Sequence, residues 1–556
     1  MVEETNKDDT KLDTKVDFEL KKKANKKKKK AAVSGPVAPI DPYYEQVMHK
    51  YPVLLRNTKT KGRHAAASEQ LGEGTTVCLE QATAFVVRSE YIDQHCHVCL
   101  DSLSTKMMCS DCSKAFYCSK TCLERDDTHA LACSTMAQVD SIARVTDVDP
   151  DLLRLITLLL ARRQRDSSEK ENDGKDKQTS TPTPFWCTND LISHRDHANP
   201  AFIRVVTEAG ERLLSEMAES MQVPVDDLVT LACRINSNAH GLGDNEARNT
   251  DVALGLFPVG AMFFNHACNP NCAFVGVQNG QLAFRTIRPV QKDEELTVSY
   301  IDLYASRDER RQDLWGTKHF WCKCKRCTSP MDKSVDRFLQ SIVCETCYQD
   351  VYVVPPSSME ELVHGRRVEP SGEWKCAKCG SAASAQSVSS TIEKAQEMYM
   401  EGLMAIRKAR DYRRARSKLE PLVTTVTMKK SESDKGGDLH PRNALRLNAS
   451  IPLMNCLRHS QDINAAINVN RYIIDTMEEH AKESLPRNTA EISDFWQNLG
   501  ELCDLMASKT QDRAALSKRW RKEAREAFDQ AARVRSVVFG PEHPKTKFVM
   551  KLATSV

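Results

Sequence analysis

No stretch of this chain is apolar for long enough to cross a bilayer: the strongest run, Leu155 to Ala161, falls far short of the roughly 20 residues a spanning helix needs. The first residues are charged and lack an apolar signal region, so nothing marks the chain for secretion and an intracellular protein is expected. Net charge is nearly absent too, 79 Lys and Arg against 76 Asp and Glu, which says little about partners. Aromatic residues are few, 6% of the chain, beside 28% charged residues, a balance that suits a soluble, helix-rich protein carrying polar segments. Against these shortages stands a hydrophobic fraction of 40%, enough to build cores, which excludes a fibrous or wholly disordered chain. At roughly 150 residues per domain, 556 residues imply three or four domains.

The charge is uneven. Lys21 to Lys30 reads K-K-K-A-N-K-K-K-K-K in a segment almost free of apolar periodicity, the composition of a disordered basic tail. Its readings are a solvated tail or a nuclear-import signal; direct nucleic-acid binding is at most weak, because attraction to phosphate specifies no sequence.

What the chain does have is cysteine. Twenty-one in a reducing compartment are not a disulfide framework. Fifteen fall into pairs or tight clusters between Cys96 and Cys379, while Cys78, Cys187, Cys233, Cys272, Cys456 and Cys503 lack ligand spacing and read as core side chains. Within residues 96–133, Cys96 and Cys99, Cys109 and Cys112, Cys118 and Cys122, and His129 with Cys133 make eight ligands, the number two tetrahedral zinc ions require. A segment under 40 residues long buries too little apolar area to fold alone, so metal must supply its folding free energy.

The remainder alternates in character. Short β-like runs occupy residues 61–88, helical patterns appear around residues 149–163 and 199–235, and a polar stretch at 164–184 reads as a disordered loop within a domain. Strands and turns return at residues 250–301. From Ile392 the text is helical, and Trp520, Ala524, Ala527, Phe528, Ala531, Val534 and Val538 form one core-facing stripe on what reads as the last helix. Cys344, Cys347, Cys376 and Cys379 form two C-x-x-C pairs that suit a further zinc, or are incidental loop cysteines.

F-Y-C-S-K-T-C-L around Cys118, with His129 and Cys133 behind it, resembles a MYND finger, mainly a peptide-binding module. That resemblance implies interleaved pairing: Cys96, Cys99, Cys118 and Cys122 on one zinc, and Cys109, Cys112, His129 and Cys133 on the other. Residues 265–272, N-H-A-C-N-P-N-C, and 294–300, E-E-L-T-V-S-Y, followed by Cys322, Cys324 and Cys327, resemble a SET core with its post-SET zinc loop. The order matches the SET and MYND (SMYD) lysine methyltransferases from about residue 52 onward. The implied fold is α+β and multidomain: a SET-type β-fold with an inserted MYND zinc finger, a post-SET zinc loop and an all-α, TPR-like C-terminal domain. The implied divisions are a tail at 1–40, the N-terminal part of the SET domain at 41–92, the finger at 93–133, a helical insert at 134–249, the SET core at 250–303, the post-SET loop at 304–330, a candidate zinc segment at 331–390 and the helical domain at 391–556.

Carried over residue by residue, the resemblance implies S-adenosylmethionine as cofactor, held by Lys61, Gly62, Arg63, His194, Asn236, Asn265, His266 and Phe320. Tyr300 would be the catalytic residue, orienting a lysine amine for in-line methyl transfer. Cys268 would join Cys322, Cys324 and Cys327 on a third zinc, and every zinc would be structural. The implied substrate is a histone or non-histone lysine, with peptide partners at the finger and the C-terminal helices, no membrane partner, and a place in nucleus or cytoplasm. Two residues depart from the family pattern: His64 stands where a second glycine is usual, and Lys318 where a channel tyrosine is common. They favour the alternative reading, a SET protein that has lost activity and serves as a MYND and TPR-like adaptor; Tyr300, Asn265 and His266 favour the enzyme.

Overall fold

The computed structural model describes residues 38–170, 182–243, 251–366, 368–424 and 438–556. The basic tail expected at residues 1–40 lies outside them except for its last three positions.

Strands Val53–Thr58 and Gly62–Ala67 form an antiparallel hairpin. Two three-stranded antiparallel sheets follow: Thr76–Gln81 pairs with Gln281–Thr286, which pairs with Cys272–Val277, and Asp251–Leu256 lies between Ala84–Val87 and Ala239–Gly243. Strands close in space therefore come from both ends of a long stretch of sequence. The cysteine-rich finger and four long helices, Asp127–Thr146, Pro150–Lys170, Pro200–Ser215 and Val225–Asn238, are looped out between Ala84–Val87 and Ala239–Gly243. The helices turn apolar faces to the sheets, and Leu153, Leu155, Ile156 and Leu159, all fully buried, share one core with Phe257, Phe263 and Phe284. The apolar run that was too short for a membrane is a helix in this core.

The polar loop expected at 164–184 starts later than its composition suggests. The helix from Pro150 continues to Lys170, because R-R-Q-R-D-S-S-E-K contains good helix formers and an i,i+4 pair, Arg162 Nε to Asp166 at 2.5 Å, bridges its turns. Residues 171–181 of that loop lie outside the described residues.

Seven helices among the described residues, from Ala385–Ala409 to Pro544–Ser555, make the C-terminal region, with its own core. In Ala514–Val538 the stripe expected from the sequence is buried from Ala524 to Val538, with Trp520 half-buried. It is not the last helix: Gly540, at φ +100°, turns the chain and Pro544 starts another with His543 as its cap. A Gly-Pro turn reads as an ending; proline at a first helical position also permits a beginning. Arg285 Nε donates to the Val537 carbonyl at 3.1 Å and Asn488 Nδ2 to the Ile287 carbonyl at 2.9 Å, so the helices are fastened to the sheet edge.

Candidate functional site

The ligand-type side chains gather into four groups: Cys96, Cys99, Cys118 and Cys122; Cys109, Cys112, His129 and Cys133; Cys268, Cys322, Cys324 and Cys327; and Cys344, Cys347, Cys376 and Cys379. Within each, the ligand atoms lie within 4.8 Å of one another. Sulfur–sulfur distances within them include 3.6 Å for Cys99 and Cys118, 3.6 Å for Cys109 and Cys133, 3.5 Å for Cys268 and Cys327, and 3.7 Å for Cys344 and Cys379. A disulfide needs about 2.05 Å, whereas four thiolates about 2.3 Å from one ion stand about 3.8 Å apart. The groups fit tetrahedral zinc.

Next to the third group the two motif segments interlock. Asn265–His266 pairs in parallel with Thr297–Val298, and the Ala267 amide donates to the Val298 carbonyl at 2.9 Å. Buried Asn271 locks the other side: its Nδ2 donates to the Glu295 carbonyl at 2.8 Å and its Oδ1 accepts from the Thr297 amide at 2.8 Å. Asn265 then reaches across, its Nδ2 donating to the Lys61 and Arg63 carbonyls, each at 3.3 Å, and to Glu295 Oε1 at 3.1 Å. Lys61 Nζ pairs with Glu295 Oε2 at 2.7 Å. Gly62, at φ +68°, makes the hairpin turn that lets these carbonyls face Asn265, in backbone space that L side chains rarely enter.

His266 Nδ1 accepts from the Tyr300 amide at 3.1 Å, while its Nε2 lies 3.2 Å from Cys268 Sγ. Burial holds its pKa down to about 4, so the imidazole is neutral at neutral pH. Tyr300 Oη donates to the Phe264 carbonyl at 2.8 Å, and burial raises the phenol pKa well above its usual value. The hydroxyl is therefore neutral, its proton directed away and its lone pairs left open.

A cleft of about 510 Å³ runs between this core and the C-terminal helices, lined by Phe274, Tyr300, Asp302, Ile451, Glu491 and Phe495 among others. Burial raises the pKa of both its carboxyl groups, Asp302 and Glu491.

A SET domain model matches residues 62–301. Over 282 residues the chain is 26% identical to histone-lysine N-methyltransferase SMYD3 of Mus musculus, covering 50% of this chain and 62% of that protein. Over 301 residues it is 24% identical to histone-lysine N-methyltransferase ASHR1 of Arabidopsis thaliana (52% and 58%), and over 285 residues 26% identical to N-lysine methyltransferase SMYD2-B of Danio rerio (51% and 61%). These matches show a SET domain at residues 62–301 and a likeness to SET and MYND domain proteins. The match spans about three fifths of the length of these relatives.

The SET core carries Asn265, His266 and Tyr300 on one interlocked unit, and Lys61, Gly62 and Arg63 are tied to it through Asn265. Phe320 is half-buried with its ring centroid 6.1 Å from that of His266. His194 has its ring 5.2 Å from that of His319, which follows Lys318. Asn236 is exposed on the last turn of Val225–Asn238, one residue before Ser237. Asn238 Nδ2 donates to the Ile192 carbonyl at 2.9 Å, which holds the segment carrying His194 against that helix.

The two departing residues are placed differently. His64 is buried in strand Gly62–Ala67, its Nδ1 3.0 Å from the Gly62 carbonyl, so the ring folds back on its own hairpin. Lys318 turns inward: its Nζ donates to the Ser237 carbonyl at 2.6 Å and lies 5.5 Å above the Tyr300 ring, and burial lowers its pKa. Sequence reasoning missed Asn271, Glu295 and Asp336. The first two stand within the quoted motifs, but only pairing between the segments gives them work. Asp336, from outside any motif, is buried against Arg307 Nε, Arg310 Nη2 and Arg326 Nε, each at 2.9 Å.

Proposed function

We propose that the chain is an S-adenosylmethionine-dependent protein-lysine N-methyltransferase acting on histone or other protein lysines. The observation that carries this reading is the Tyr300 hydroxyl, held by the Phe264 carbonyl at the cleft, on the same interlocked segments as Asn265 and His266. Lys61, Gly62, Arg63, His194, Asn236, Asn265, His266 and Phe320 would hold the cofactor; the bonds of Asn265 to the Lys61 and Arg63 carbonyls and the place of Phe320 beside His266 support the assignment. S-adenosylmethionine, when bound, supplies a methyl group on a sulfonium. The chain's own part is to present a neutral amine. Tyr300, with its proton committed to Phe264, can only accept, so it would take an amine N–H and point the nitrogen lone pair along the cleft. Burial disfavours the ammonium form, and Asp302 and Glu491 supply acceptors for a lysine that arrives charged. The sixteen thiol and imidazole groups would hold four structural zinc ions.

Titration calorimetry with S-adenosylmethionine, followed by a radiolabelled methyl assay on histone and cell-extract proteins, tests the proposal. Wild-type protein that binds no cofactor and labels nothing overturns it and leaves an adaptor. Elemental analysis should return four zinc ions per chain; two or fewer in undamaged protein refutes the ligand assignment. Cys118→Ser should unfold the finger, which loses part of its metal-derived folding free energy.

Lys318 gives a separate expectation. Its inward ammonium faces the region where a charged lysine would enter, so Lys318→Tyr should raise kcat/KM on a lysine peptide by about tenfold, equivalent to about 1.4 kcal/mol. An unchanged or lower value would show that the Ser237 contact already removes the charge from the path.

A further inference from the structure

The cleft in front of Tyr300 is one-sided in charge. It and an adjoining cavity of about 230 Å³ share Asp302 and Glu491 as lining, and among the described residues no Lys, Arg or His lines either. Both acidic side chains stand open within the cleft. Arg310 and Arg326, whose charges reach Asp302, are bound to Asp336, and Lys318 Nζ is bound to the Ser237 carbonyl. Phe274, Ile451 and Phe495 give the walls enough apolar surface to take the methylene stem of a lysine while the carboxylates meet its head.

The chain itself carries the complementary charge. Lys21 to Lys30 holds eight lysines and no carboxylate. The described residues begin at Ala38, whose carbonyl accepts from Asn57 Nδ2 at 2.9 Å. Asn57 faces Arg63 across the hairpin, Asn265 donates to the Arg63 carbonyl, and Asn265 pairs with Thr297, three residues before Tyr300. At ordinary strand spacings that route is about 35 Å long, so the straight distance from Ala38 to Tyr300 is no greater. Full extension gives Lys30 a reach of about 26–29 Å from Ala38, and Lys21 to Lys23 about 50–61 Å. A half-turn round a body of that width takes about 55 Å, which the far end of the run can cover and the near end cannot.

We infer that the lysine run of this chain's own N-terminal segment occupies the cleft and is methylated there intramolecularly, at Lys21 to Lys23, an inference that rests on the methyltransferase reading. In that step the neutral lysine Nζ forms a bond to the methyl carbon as the S–CH3 bond breaks. The sulfonium becomes a thioether, and the proton carried in by the ammonium passes to water. Two carboxylates alone hold a lysine weakly, but a tethered segment meets the cleft at an effective concentration of about a millimolar, so weak attraction is enough to fill it.

The test uses the full-length chain. Carbodiimide coupling followed by mass spectrometry should join Lys21 to Lys23 to Asp302 or Glu491, undiminished by dilution. Coupling to these two carboxyl groups no stronger than to the exposed Glu219, or coupling that fades on dilution, overturns the docking. With S-adenosylmethionine present, methyl groups should appear on Lys21 to Lys23 at least about tenfold faster than on Lys28 to Lys30, at a rate per chain independent of protein concentration, because a tether too short to span the sites gives almost no effective concentration. Methylated cell-extract proteins beside an unmodified run, or equal labelling along it, overturn the transfer. The cross-link is read without cofactor, so a chain that labels nothing at all refutes the methyltransferase reading while the docking is still decided.

Discussion

Tyr300→Phe is expected to slow methyl transfer to a lysine peptide about a hundredfold while leaving S-adenosylmethionine affinity within about twofold, because a reacting group misplaced by about 1 Å costs that much. The change removes one oxygen and nothing else. Tyr300 Oη donates to the Phe264 carbonyl, so its remaining capacity is to accept, and an acceptor at the cleft is what sets the direction of an amine N–H. The ring stays, and with it the contact to His266 at 5.3 Å between centroids and the Tyr300 amide bond to His266 Nδ1. Loss should therefore appear in kcat rather than in cofactor binding. Asn265→Ala should do the reverse. Its amide, together with the Lys61–Glu295 ion pair, joins the Lys61–Arg63 turn to the strand pair, and without it cofactor affinity should fall first. Single-turnover rates and calorimetry on the two variants separate these effects; equal loss of binding in both would refute the division of roles.

Asp336→Ala is expected to destabilise the protein by about 3–5 kcal/mol, the cost of breaking a buried ion pair from one side. Three guanidiniums, Arg307, Arg310 and Arg326, surround this one fully buried carboxylate. The excess of two positive charges has a counterpart: a zinc ion with four thiolates carries two negative ones. Arg310 Nη2 lies 3.7 Å from Cys327 Sγ, and Arg326 Nη1 donates to the Cys268 carbonyl at 2.9 Å. The network and the third ligand group thus balance each other's charge, and losing Asp336 should also speed zinc loss to a chelator. Burial opposes the ionised carboxylate, but Arg326 and Arg310 outweigh it and hold the pKa down to about 2. A carboxyl group depressed from about 3.9 to that value adds about 2–3 kcal/mol at neutral pH, and the contribution is lost as pH falls from about 4 toward 2. Acid unfolding of wild type should steepen in that window and that of Asp336→Asn should not. Thermal melts across pH with zinc release recorded together check both; an Asp336→Ala protein as stable as wild type would show that the arginines find other partners.

Much of this was legible in the sequence where chemistry is local. Cysteine spacing marked the close pairs of ligands, because C-x-x-C places two sulfurs on one turn whatever the rest of the chain does, whereas Cys268 was joined to Cys322, Cys324 and Cys327 only through the family likeness. Among the described residues no helix is long and apolar enough to cross a membrane. The helical stripe at residues 524–538 followed from periodicity alone. Which ligand pairs share a centre came only from a family likeness, since spacing within pairs says nothing of distance between them. The extent of helix Pro150–Lys170 and the start of Pro544–Ser555 were misread because composition describes a segment's average and not its end contacts.

What only the tertiary structure decided are the contacts between residues far apart in sequence. Asn271 acquires a function when Thr297 is brought beside it, Lys318 when Ser237 accepts its ammonium, and Asp336 when three arginines close around it. Local spacing determines which side chains can share one turn or one metal; the packing of distant strands and helices determines which of them meet, because burial and charge depend on neighbours that no short stretch of sequence contains.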